Sequence, residues 1–67
     1  MAVEVGQTWT RKKIEYTVKK VDSKGLFTYI WVLVEGDEDV ASNYRCYGLK
    51  VFQEEFNLIK EVENGSS

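Results

Sequence analysis

Residues 26–35, LFTYIWVLVE, place apolar side chains on both faces of any strand they form. Phe27, Tyr29, Trp31 and Leu33 fall on one side at a period of two. Leu26, Ile30, Val32 and Val34 fall on the other, with Thr28 between them. A chain of 67 residues has little else to cover both faces. Domains of this size bury only about 60% of the surface that their unfolded chains expose. Three arrangements resolve the excess. The strand bends so that both faces serve one core, with a helical turn capping one end. A second copy covers the aromatic face. Or a different partner does.

The rest of the chain reads as further short strands. Val3, Val5 and Gly6 begin an extended segment, and Thr8–Thr10 sets β-branched residues around Trp9. The run at 11–13 is a polar turn. Residues 14–21 alternate, with Ile14, Tyr16 and Val18 inward, until Lys20 occupies an inward place. A slip of one residue marks a bulge or bend. Gly25 ends a hairpin turn over 22–25, and 36–39 makes the next turn. Residues 40–48 form a weaker strand, with Tyr44 and Cys46 on one face and Arg45 and Tyr47 on the other. Leu49, Phe52 and Phe56 then recur at spacings of three and four, which predicts a helical turn over 49–56, in part 3₁₀ because no strong N-cap precedes it. Residues 57–62 return to extended form, and 63–67 read as a disordered polar tail.

These elements predict one mainly β domain over residues 1–62. The expected architecture is a small antiparallel SH3-like barrel of about five strands, with one helical turn before the last strand. Closure would remove the exposed edges that so apolar a central strand makes hazardous.

The residues offer little chemistry. The chain has no histidine and one cysteine. That excludes Ser-His-Asp and Cys-His arrangements, an internal disulfide and an ordinary zinc site. Cys46 reads as a small buried hydrophobe, with only Arg45 near enough to activate it. Glu35, Asp37, Glu38 and Asp39 do not have the spacing of an EF-hand loop and read as a solvated turn. No glycine cluster could cradle a phosphate. The expectation is a non-enzyme with no cofactor and no metal. No signal peptide or membrane-spanning run is evident, and the unpaired thiol suggests the cytoplasm.

Charge is uneven. Residues 1–30 carry +3 and residues 31–67 carry −5. Interleaved strands would neutralise much of this across neighbours. Arg11, Lys12, Lys13, Lys19 and Lys20 lie near Trp9 and Tyr16, which is the vocabulary of a nucleic-acid-binding barrel. A pI near 5.0 weighs against that reading. An aromatic cage for a methylated cation would need three or four of Trp9, Tyr16, Tyr29, Trp31, Tyr44 and Tyr47 to converge. Tyr29, Trp31 and Leu33, with Arg45 and Tyr47 beside them, instead suggest a surface for a protein partner or a second copy of the chain. Tyr, Trp and Arg are enriched where binding energy concentrates.

The elements VGQTW, YTVKKV, GLFTYIWVLV and YGLKVFQEEFNLI, in that order, resemble small phage- and prophage-encoded SH3-like barrel proteins. Such proteins start with a valine-glycine-x-x-aromatic element, matched by Val5, Gly6 and Trp9. They end in a phenylalanine-x-x-x-phenylalanine turn, matched by Phe52 and Phe56. The resemblance spans residues 3–62. It implies a binding role toward a protein or a nucleic acid, in the host-cell cytoplasm if the chain is phage-encoded, and it carries no catalytic signature.

Overall fold

A computed structural model describes residues 3–62; the expected tail at 63–67 lies outside them. Five antiparallel strands form one sheet in the order β4-β3-β2-β1-β5. They are β1 (Thr8–Arg11), β2 (Ile14–Lys24), β3 (Phe27–Val34), β4 (Arg45–Gly48) and β5 (Asn57–Lys60). A 3₁₀ turn, Ala41–Asn43, precedes β4, and the helix α1, Leu49–Glu55, separates β4 from β5.

The expected closure into a barrel does not occur. β4 and β5 are the two edges of an open sheet and do not pair with each other. Between them in the chain lies α1, which buries Phe52 and delivers Phe56 to the core. A seven-residue helix with no side-chain cap at Gly48 and no acid in its first turn has little stability of its own. Burial of these two rings holds it. Phe52 stacks on Phe56 with centroids 4.4 Å apart and meets Trp9 at 4.8 Å, while Phe56 meets Tyr16 edge-on at 5.0 Å. Val3, Val18, Ile30 and Val32 complete this core.

The register explains how β2 feeds it. Val18 pairs with Val32 and Val21 with Ile30, so four residues of β2 oppose three of β3. The irregularity falls between Val18 and Lys20. A bulge at Lys19 therefore absorbs the slip in the alternation and keeps valine inward on both sides of it.

Three boundaries depart from the sequence reading. β2 continues through the expected turn to Lys24, and the reversal is the two-residue loop Gly25–Leu26. Gly25 has φ +61°, as the first central position of a type II′ turn requires. Facing hydroxyls of Ser23 and Thr28, 3.0 Å apart, hold the exposed end of the hairpin. Residues 40–44 are not strand. Asn43 donates its side-chain amide to the Glu38 carbonyl and its backbone N–H to Val40, which coils the segment. The β1–β2 loop is Lys12–Lys13, with φ of +53° and +68°. Two lysines in the left-handed region cost about 1–2 kcal/mol each.

Candidate functional site

β3 presents Thr28, Ile30, Val32 and Val34 on one side and Phe27, Tyr29, Trp31 and Leu33 on the other. Ile30 and Val32 belong to the core. The outward row is graded: Leu33 is 6% exposed, Trp31 is half-buried, Tyr29 is 38% exposed and Phe27 65%. Leu26, at the turn, is 98% exposed. The chain thus covers one end of its second apolar face and leaves the other open.

The covered end is the one to which segment 35–44 is tied. Thr17 donates its hydroxyl to Glu35 at 3.0 Å, and Lys19 pairs with Asp39 at 3.1 Å. The Tyr44 hydroxyl donates to the same Asp39 carboxylate. That bond, and then Lys19, hold the Asp39 carboxyl below its ordinary value. The same bond, followed by burial, raises the Tyr44 phenol. A depressed carboxyl contributes above its unfolded value and is lost as pH falls through the folded one. A raised phenol contributes below its unfolded value and is lost as pH rises through the folded one. The tether therefore holds at neutral pH. Below pH 3.8, amide protection over 39–44 should fall before the sheet unfolds, and Asp39→Asn should abolish that separate step. Loss of loop and sheet protection in a single step would show that the tether does not act independently.

At the open end, β3 overhangs its neighbour. Its pairing with β2 reaches Phe27, whereas its pairing with β4 stops at Tyr29 opposite Gly48. There the chain leaves the sheet and enters α1. The gap is a groove of about 350 Å³ lined by Leu26–Tyr29 and Gly48–Val51. That volume is at the low end for ligand sites. Both faces of β3 contribute to it, so it runs along the strand edge. A Cβ built on Gly48 meets nothing within 4 Å, and its φ of −65° suits any residue.

The residues expected to bind a protein do not share one surface. Trp31 pairs with Cys46 in the register, so Arg45 and Tyr47 face the opposite side of the sheet from Tyr29, Trp31 and Leu33. Tyr47 packs against the core, 5.1 Å from Phe56 and 6.4 Å from Phe52. Leu33 is buried, and Trp31 encloses its indole N–H without a hydrogen-bond partner among the described residues. Tyr29 alone of the five borders the groove. Leu26, Phe27 and Val51, which sequence reasoning did not single out as binding residues, are its exposed apolar lining. A leucine in a turn, where polar residues are usual, was the available signal. Cys46, expected to be buried, is exposed because it lies on the outward side of an edge strand.

The basic residues are also dispersed. The Arg11 guanidinium sits 4.7 Å from the Phe56 ring centroid and 5.2 Å from that of Tyr47. It donates to Glu55 at 2.9 Å and to the Tyr47 hydroxyl at 3.2 Å. Two of the core aromatics, Tyr47 and Phe56, thus flank a cation of the chain's own. Lys12 and Lys13 stand at the β1–β2 tip, and Lys19 is paired with Asp39. Lys20 is exposed and opposes Trp31, roughly 20 Å along β2 from Lys13 at a rise of about 3.3 Å per residue.

Among the described residues, no group of three His, Cys, Asp or Glu could hold a metal, and no helix is long and apolar enough to cross a membrane. Comparison with protein-family models, with curated proteins and with solved structures finds no match.

Proposed function

We propose that the chain is a small non-enzymatic binding module that engages a protein through the open end of its central hairpin. The observation that carries this is the run of exposed apolar side chains Leu26, Phe27 and Tyr29 beside a groove that α1 leaves unfilled. Nothing in the fold needs those side chains at the surface. Contiguous exposed apolar area in a small protein usually marks an interaction site. The strand order, with a helix before the last strand, supports an open relative of SH3-like barrels; a phage or prophage origin rests on the sequence resemblance alone. The nucleic-acid alternative through Arg11, Lys12, Lys13, Lys19 and Lys20 gains no support from side chains so dispersed.

The test is affinity capture from the source cell with the wild-type chain and with Phe27→Ser. Phe27 is largely exposed, so the variant should unfold within about 0.5 kcal/mol of wild type in urea. A partner enriched on wild type should be reduced at least fivefold on the folded variant. Equal capture by both proteins would remove the hairpin end as the site.

A further inference from the structure

We infer that the groove takes an extended, acid-flanked apolar peptide of a partner protein, which adds to β3 in the place that β4 vacates at Gly48. This deepens the reading just given and rests on it. The first support is the register. β3 has a neighbour on its β2 side as far as Phe27, but on the other side its partner ends at Tyr29. Phe27 and Thr28 therefore have a free edge. In an antiparallel ladder alternate residues direct their N–H and C=O groups to alternate sides, so one of these two presents both groups to the groove. A peptide lying antiparallel to β3 would satisfy them, by strand addition at an exposed sheet edge.

The second support is the lining. Leu26, Phe27, Tyr29, Leu49 and Val51 give apolar contact on both sides of that line. The lack of a side chain at Gly48 leaves room for a backbone to approach. The third is charge. Lys50 lines the groove, and Lys24 stands opposite Phe27 with its side chain three-quarters exposed and only a loose contact, 3.8 Å, with Asp22. A partner bearing carboxylates at both ends of a short apolar core matches these two ammonium groups. A second copy docked tip to tip would bring the same lysines toward each other, which disfavours self-association here.

The full 67-residue chain would be titrated with a blocked peptide, acetyl-Asp-Val-Leu-Val-Asp-amide, and followed by amide NMR. Amides of Phe27, Thr28, Tyr29 and Gly48 should shift with weak, saturable binding. Lys in place of both Asp should weaken it about tenfold, the sum of two rim charge pairs. Proline at the central Leu should abolish it, because the donor that faces β3 is lost. Gly48→Gln should also abolish it while leaving the spectrum of the rest of the fold intact. Four results would overturn the inference: no groove shifts at millimolar peptide, equal binding of the Asp and Lys peptides, undiminished binding of the proline peptide, or shifts that map elsewhere. Sedimentation of the wild type as a dimer that Gly48→Gln dissociates would overturn it too, by making a second copy the occupant. Loss of a captured partner with Phe27→Ser, alongside no peptide binding, would leave the binding-module reading standing and remove only the extended-peptide mode.

Discussion

Phe52→Ala should remove about 3–5 kcal/mol, a large share of the chain's stability, and move its urea midpoint far below that of wild type. Domains are stable by about 0.05–0.15 kcal/mol per residue, which gives a chain of 67 residues roughly 3–10 kcal/mol. Truncating a fully buried phenylalanine costs about 3–5 kcal/mol in lost transfer energy and residual cavity. Phe52 is fully buried and in ring contact with Trp9, Phe56 and Tyr47, so its site has several large neighbours and little means of collapsing. It also anchors α1, which separates β4 from β5 in the chain. The measurement is urea unfolding followed by tryptophan fluorescence, with Trp9 as an adjacent reporter. Val51→Ala is the control. Its neighbour side chain is exposed, alanine favours helix, and the midpoint should barely move. Phe52→Leu should recover more than half of the lost stability, because most of the volume returns. If Phe52→Ala and Val51→Ala unfold at the same urea concentration, α1 is not docked as described.

The elements that were legible in the sequence are those whose pattern is written locally. Tyr16 and Val18 alternate, and the misplaced Lys20 announces the bulge at Lys19. The change of spacing at Leu49, Phe52 and Phe56 announces α1. The end of β2 was not legible, since Asp22, Ser23 and Lys24 lie on an exposed hairpin tip where burial imposes no alternation. The binding surface was only partly so. Which side Arg45 and Tyr47 occupy depends on the pairing of Trp31 with Cys46, and that register belongs to two strands at once. The groove exists because β3 overhangs β4, again a relation between segments far apart in the chain. Gln7 was missed for the same reason. It reads as a polar residue entering a strand, and one of its partners lies 54 positions away.

That residue carries the second large effect. Gln7 is 1% exposed, the one buried polar side chain among the described residues. Its Oε1 accepts from the Glu4 backbone N–H at 2.9 Å and from the Trp9 indole N–H at 3.0 Å, and its Nε2 donates to Glu61 at 2.9 Å. Its own carbonyl accepts from Val18. One side chain therefore joins the entry into β1, the core tryptophan and the segment that leaves β5. Gln7→Leu keeps the approximate volume but strands two donors. Glu61 is exposed and can turn to water, whereas the indole N–H is enclosed in the core. The buried indole N–H left without an acceptor costs about 1–3 kcal/mol and the part-buried Glu4 N–H adds less, so Gln7→Leu should destabilise by roughly 2–4 kcal/mol in urea. The hydrogen bond can be separated from packing. Trp9→Phe removes the indole donor, so Gln7→Leu should cost at least about 1 kcal/mol less in that background than in wild type. Strict additivity of the two substitutions would show that the bond contributes nothing and that Gln7 acts by volume alone. Coupling would instead explain how so short a chain fixes its N-terminal strand: a buried amide satisfied on both sides, where a disulfide is ruled out by the single cysteine.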